Sequence, residues 1–423
     1  MVKTKALKGR STISSCDAQT SQPNTSAYPH CLALAGLGLS CLSGLSNAQN
    51  STVNNVPIEQ VSIIRTLADL NSLVPAASLR GSNTILTNIQ NIQRCAHSGP
   101  TADTYNLQEG GASCELNDFN RFKKIDTFVS SALERGSHTV TLREPTDTAD
   151  INFDGTTLAA GFRYNFSERL AVGSSVSRYL VNSGSLSASR TEFTNAAQTD
   201  FSRNGLSIFL NYDPQKPWFF NAILEKGRYQ IDGARTQPGV VAPLTPYKDD
   251  YAAISTGGDE LGATVNMGIQ HQIDATKLSA FANLGYSDVN INSYNERSAS
   301  GDSNPFAQIE QINMQITNIS IGADVSWVIE KSKSLFSPSF SVTWVQSEQD
   351  QPMTVNGRLV GKDFVNEPLR YTAPENDGSY LEASIGLLAA YRNGFSGYAN
   401  ISTQTARENF SSRQLSVGGR WRF

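Results

Sequence analysis

Histidine, cysteine, basic excess and long apolar runs are all scarce in this chain, and each scarcity removes a class of function. Only His30, His97, His138 and His271 are present among 423 residues, which leaves little material for imidazole-based catalysis or metal binding. No His-Glu-x-x-His zinc helix and no Gly-x-Ser-x-Gly elbow occurs. Lys and Arg total 34 against 38 Asp and Glu, a net charge of −4, so no basic field argues for nucleic acid. Apart from one N-terminal run, no stretch approaches the roughly 18 apolar residues that a membrane-spanning helix requires. Hydrophobic content of 39% and a mean hydropathy of −0.31 are low for a helical membrane protein. They are compatible with a transmembrane β-barrel, in which only alternate residues meet lipid.

The N-terminus reads as an export signal over residues 1–48. Lys3, Lys5, Lys8 and Arg10 form a basic start, residues 31–42 an apolar core, and Ser46-Asn-Ala48 a site for cleavage after Ala48. Cys16, Cys31 and Cys41 fall within it. Cys95 and Cys114 remain, and two cysteines in an exported chain read as a disulfide rather than a metal or redox site, with two free thiols as the alternative.

Residues 49–123 have a helical period. Ile58, Val61, Ile64, Leu67, Leu70 and Leu73 recur every third position between Pro57 and Pro75. Ile85, Ile89 and Ile92 form a second pattern, with Ser82 or Asn83 as its cap. Such a segment suits a small plug, a periplasmic subdomain or a helix threaded into a barrel.

From residue 124 onward the period is two. Leu158, Ala160, Phe162 and Tyr164 alternate with Ala159, Gly161 and Arg163, and comparable hairpins follow to Phe423. Short turns follow Phe166, Tyr212, Ile273, Ile329 and Tyr391, whereas long polar stretches lie near 181–204, 231–260, 288–317, 346–379 and 404–412. Tyr164, Phe166, Tyr212, Trp218, Trp327, Tyr391 and Phe395 sit beside the short turns, as an aromatic girdle would. With a first strand around 128–135, the count is about twelve strands, an even number as bacterial barrels prefer. The expected fold is therefore all-β: a transmembrane antiparallel up-and-down barrel over residues 124–423. A soluble propeller is the rival architecture.

In the last strand, Leu415, Val417, Trp421 and Phe423 share one face, and Arg420 and Arg422 the other. The apolar face resembles the signal by which outer-membrane proteins are recognised for assembly. Inward parity assigns Arg163, Asp324, Glu382, Arg420 and Arg422 to a lumen, and Glu225 fits it less clearly. These charges would pair with one another, hold a plug helix, or set ion preference in an open pore. His271 falls on the outward parity beside a turn, where an interfacial ring is the expectation. The acidic loop stretches Asp249-Asp250, Asp259-Glu260 and Glu348 to Asp350 read as solvated, with cation bridging to lipopolysaccharide as the alternative.

The segment from Thr157 to Tyr179, with Leu158-Ala-Ala-Gly-Phe-Arg-Tyr-Asn-Phe166 at its start, resembles a hairpin of autotransporter translocator domains. Tyr380 to Phe423, with its small turn at Asn393-Gly394, is similar to their last three strands, and the resemblance spans about residues 120–423. It implies a bacterial outer-membrane barrel with a helix in the pore and an N-terminal segment anchored by the barrel; with no catalytic constellation among its residues, the chain is expected to be non-enzymatic and to need no cofactor. The implied partners are outer-membrane lipid and lipopolysaccharide, the barrel-assembly machinery and periplasmic chaperones, around a monomeric barrel. The chain departs from the family in having only residues 49–123 ahead of the barrel, with no long β-helical repeat. A passive, porin-like pore for small solutes is the alternative. Outer-membrane phospholipases also use about twelve strands, but the His and Asn-Gly-x-x-x-Ser-Arg-Ser pattern of their site is absent.

Overall fold

The computed structural model divides the chain into units 1–50 and 51–423. It describes residues 67, 70, 73–74, 77–78, 80–96 and, from 124, all but 142–147, 168, 188–196, 215–216, 238–249, 299–305, 332–333, 361–364, 373–377, 392 and 408–409. The export signal, and Cys114 with its expected disulfide, lie outside the described residues.

A strand of alternating side chains can bury one face and must expose the other, and here the strands settle that by closing on themselves. Twelve strands form the wall: β1 (Ile125–Thr141), β2 (Thr148–Asn165), β3 (Leu170–Ser187), β4 (Ala197–Tyr212), β5 (Trp218–Gln237), β6 (Asp250–Ile273), β7 (Thr276–Ile291), β11 (Ile312–Trp327), β13 (Ser334–Gln349), β16 (Gly378–Tyr391), β17 (Phe395–Arg407) and β18 (Phe410–Arg422). Each pairs antiparallel with the next, and β18 returns to β1 in a register running from Asp126↔Arg422 to His138↔Phe410. The ring is closed, so no edge is left unpaired in lipid.

The short-turn half carries the membrane face. Val129, Leu158, Val176, Ile208, Leu224, Met267, Leu284, Ile321, Ile385 and Ile401 all point outward and are exposed. In water such a band would be an aggregation liability; in lipid it is the required surface. Rings cluster at its lower rim, with Tyr164 against Phe166 at 4.8 Å, Tyr212 against Trp218 at 5.3 Å and Phe395 against Trp421 at 6.2 Å. The turns there are tight: Asp274 takes φ 52° in one, and Gly394 φ 85° in another, a backbone that glycine adopts without strain.

The long-loop half corrects the expectation drawn from sequence. Residues near 181–204 and 231–260 are mostly strand, since β3 runs to Ser187, β4 starts at Ala197, and β5 and β6 are 20 and 24 residues long. The first strand likewise spans Ile125–Thr141. About 9–11 tilted residues cross a membrane, so much of each strand stands above it. There the polarity inverts. On β2, Ile151 and Phe153 are buried inside whereas Asn152 and Asp154 face out, the reverse of Leu158 and Arg163 further down.

Stretches 288–317 and 346–379 also contain structure that was expected to be loop. Beside the pairs β9 (Arg297–Ser298) with β6 and β12 (Ile329–Lys331) with β13, the strands β8 (Tyr294–Asn295), β10 (Phe306–Ile309), β14 (Thr354–Val360) and β15 (Val365–Thr372) form a second sheet in the order β15-β14-β10-β8. Met353, Val355, Leu359, Leu369 and Tyr371 from this sheet and its approach share a core with the inward residues of the upper wall.

Inward and outward positions should tolerate arginine differently. Val417→Arg, on the lipid face, is expected to lose about 2–4 kcal/mol of stability in vesicles. The adjacent lumen substitution Ser416→Arg should lose clearly less, as read by denaturant unfolding of the refolded protein.

Candidate functional site in the barrel lumen

The lumen is occupied. Helix α1 (Arg80–Ala96) places Ile85, Leu86 and Ile89 on one face, where they pack with Phe128, Phe209 and Ile223 of the wall. Glycines at 161 and 173 leave room beside Phe128 and Phe209 for those rings. The opposite face, with Asn83, Thr84, Thr87 and Gln90, borders a cavity of about 220 Å³ whose far wall includes Asn283, Ser320, Glu382, Tyr398 and Gln404.

The first turn of α1 has no acidic residue to meet its free N–H groups. The wall supplies one. Ser82 donates to Oε2 of Glu225 twice, from its backbone N at 2.9 Å and its Oγ at 2.6 Å. Ser82 therefore is not the outer cap expected from sequence; the helix begins at Arg80 and a carboxylate on β5 acts as the cap. A carboxylate at this end of a helix also meets the positive pole of its dipole.

Glu225 belongs to a buried charge tier. Arg203 on β4 lies with Nε 2.6 Å from Glu260 Oε2 and Nη2 2.8 Å from Glu225 Oε1, the latter contact off the hydrogen-bond direction. Glu260 also accepts from Ser287 at 2.6 Å and from the Tyr229 hydroxyl. One guanidinium thus stands between two carboxylates, and the helix terminus compensates the surplus negative charge. On the seam side, Glu134 accepts from Tyr179 at 3.1 Å and Ser412 at 2.7 Å. Nearer the short turns an amide chain crosses five strands. Asn211 donates to Asn221 at 2.6 Å and Asn221 to Asn266 at 2.7 Å; Asn266 donates to Asn283, which donates to Ser320 at 2.8 Å.

At the base, Asp126 gathers three cations. Arg163 approaches at 2.6 Å, and Arg420 and Arg422 at 2.9 Å each, with Asn165 donating at 3.1 Å. At the long-loop end the lumen is apolar. The helical residues Leu67, Leu70, Leu73, Val74 and Ala77 are at most 3% exposed, in a core with Ile151, Tyr179, Phe201, Ile291, Met314 and the second sheet. Arg235 pairs with Glu296 at 2.6 Å there, and Glu296 accepts from the backbone N of Ala307 at 2.8 Å. Burial, with Glu296 beside it, raises the Tyr294 phenol above its usual range, and burial alone raises that of Tyr371.

Of the charges assigned to the lumen from sequence, Arg163, Arg420 and Arg422 meet on Asp126, while Asp324 is buried separately on β11 and Glu382 lines the cavity. Glu225 sits in the middle tier. Leu415, Val417, Trp421 and Phe423 are all on the exposed outer face. Sequence reasoning missed Asp126, Glu134 and Arg203, and Glu260, read as a solvated loop acid, is instead buried on β6 against Arg203. Asp126 and Glu134 share the parity of Phe128: Glu134 lies within the strand expected around 128–135, and extending that strand by two residues would have reached Asp126. Among the described residues no group of three or more His, Cys, Asp or Glu could hold a metal. His271 is exposed, and the His138 ring lies 5.9 Å from Phe410.

Removing one member of the buried tier should be severe. Arg203→Ala strands two carboxylates away from water and is expected to lose about 3–5 kcal/mol by equilibrium unfolding. Surface Arg228→Ala, whose pair with Asp259 spans 3.7 Å, should lose under about 1 kcal/mol.

The comparisons with known proteins agree with this geometry. The family model described as the autotransporter beta-domain matches residues 139–402. The solved translocator domain of autotransporter NalP from Neisseria meningitidis aligns with a TM-score of 0.51 at 13% identity, over 82% of this chain and 100% of that one. The beta domain of the Bordetella autotransporter BrkA aligns with a TM-score of 0.48 at 12% identity, over 71% and 100%. No curated protein matches the chain in sequence. A family model spanning well over half the chain, on a closed barrel with a lipid-facing band, identifies this protein as a member of the autotransporter beta-domain family, resident in the bacterial outer membrane.

Proposed function

We propose that the barrel holds residues 67–96 as a resident plug and so anchors the N-terminal segment in the outer membrane, without catalysing a reaction. The observation that carries this reading is the apolar closure at the long-loop end, where Leu67, Leu70 and Leu73 complete a core shared with the wall and the second sheet. Each buried leucine contributes about 1.5–3 kcal/mol, so three of them bias the plug strongly toward the inside. Ser82 on Glu225 fixes its depth. From Leu67 at the long-loop end the described chain passes down α1 toward the base.

The polar cavity beside α1 is what a passive-pore reading would draw on, and the apolar closure above it weighs against that reading. The separate positions of His138 and His271 favour a non-catalytic barrel; hydrolysis of lipid or ester substrates by the refolded protein would sink that part. The exposed face of Leu415, Val417, Trp421 and Phe423 suits delivery by periplasmic chaperones to the barrel-assembly machinery. A wall that closes within one chain suits a monomer.

Planar-bilayer recording tests the plug. Full-length protein should conduct poorly, and deletion of residues 49–120 should raise conductance severalfold. Glu225→Ala in the full chain should produce intermittent openings. Steady conductance from the intact protein, or none gained on deletion, would overturn the plug.

A further inference from the structure

The outer face of the wall is electrically lopsided just above the lipid band. Counted from the short-turn ends, Ile125 to Arg135, Phe423 to Arg413, Leu170 to Arg178, and Trp218 to Lys226 and Arg228 each rise roughly 20–25 Å, at about 3.3 Å per residue and a tilt near 40°. That is the upper limit of an apolar band about 25 Å tall. All five side chains face outward and are exposed on the arc running from β18 through β1 and β3 to β5. On β6, β7 and β13 the outward charges are acidic, Asp259, Asp288 and Glu348, and these, like Asp154 on β2 and Asp200 on β4, stand above the level of the five cations.

The basic arc is under-compensated. Arg135 meets Asp154 at 2.9 Å and Arg228 lies 3.7 Å from Asp259, both pairs open to solvent and so weak. Arg135 and Arg413 are direct cross-strand partners, an arrangement that like charges disfavour. Arg178 and Arg228 flank Asn204 in one register row, two strand spacings apart. Lys226 stands between the exposed Leu206 and Leu261, so its stem lies along lipid and its ammonium is carried to the headgroup layer.

We propose that this arc, Arg413, Arg135, Arg178, Lys226 and Arg228, is a docking surface for the phosphates of the glycolipid of the outer leaflet. Its height selects the source. The long-loop end faces the cell exterior, so the headgroups at this level are the phosphorylated sugars of lipopolysaccharide, whereas glycerophospholipid headgroups lie beside the aromatic girdle at the other end. A phosphate between Arg135 and Arg413 turns a repulsive pair into a bridged one, and guanidinium forks suit phosphate oxygens in two-point contact. Among the described residues β6, β7, β11, β13 and β16 carry no outward cation at this height, so the lipid should bind on one side of the barrel.

Native mass spectrometry of the full-length refolded protein tests this with three probes: bisphosphorylated lipid A, the same lipid dephosphorylated, and phosphatidylglycerol. The wild type should retain bisphosphorylated lipid A in preference to both others. The triple variant Arg178→Gln, Lys226→Gln, Arg228→Gln should weaken retention about a hundredfold, each surface cation contributing a severalfold factor. Asp288→Asn with Glu348→Gln should leave it unchanged. Arg413→Gln spares the Arg135–Asp154 contact and should reduce lipid binding without lowering the lipid-free unfolding midpoint. Equal binding of the dephosphorylated lipid or of phosphatidylglycerol, or unaltered binding by the triple variant, overturns the proposal.

Discussion

The seam between β1 and β18 is the contact on which everything else depends. An unpaired strand edge in hydrocarbon would leave a row of N–H and C=O groups without partners, each costing several kcal/mol. The register Asp126↔Arg422 removes that edge and at the same time carries Arg420 and Arg422 to the carboxylate of Asp126, which β2 already reaches through Arg163. The first strand, its neighbour and the last strand are thus held at one buried carboxylate. Backbone pairing closes the ring and the charge cluster fixes its register, since a one-residue slip would turn both arginines into lipid.

Closure then dictates what the lumen must contain. Glu225 is 1% exposed, and its contact with Arg203 is poorly aligned. Arg203 spends its better-directed hydrogen bond on Glu260. A buried carboxylate served so incompletely would be destabilising by itself, and Ser82 at the start of α1 supplies what it lacks. The relation is reciprocal: α1 has no acidic residue in its own first turn and finds one on the wall. Wall and helix each carry an electrostatic deficiency that the other removes. This is a physical reason for the pair to stay assembled, beyond the packing of Ile85 and Ile89.

The membrane half was legible in sequence because lipid enforces contrast. Leu158 and Phe162 must be apolar outside and Arg163 can be charged inside, so parity alone placed Arg163, Arg420 and Arg422 in the lumen. What parity could not supply was their common partner, because bringing Asp126 to Arg422 requires the seam register. Arg203 and Tyr229 escaped notice, and Glu260 read as solvated, for another reason. Their outward neighbours Asp200, Asn204 and Gln230 meet water, so the stretches holding them look uniformly polar and read as loops. The second sheet was hidden similarly, since Val355, Leu359 and Leu369 are few and become a core only when chain segments far apart in sequence converge.

The inversion of polarity along each strand decides between an open and a filled barrel. In the membrane half, apolar side chains face out and polar ones in. Above it, Ile151, Phe153, Tyr179, Val181, Phe201, Ile231 and Ile291 face in, while Asn152, Asp154, Asp200, Gln230 and Asn290 face out. The upper half is built like a water-soluble β-domain, whose inner face demands a core. A conducting lumen would have to wet those residues, and the hydrophobic effect opposes that along the whole rim. The second sheet supplies part of the missing core, and Leu67, Leu70, Leu73, Val74 and Ala77 supply the rest. The alternation that makes this chain a membrane protein below therefore makes it require an occupant above.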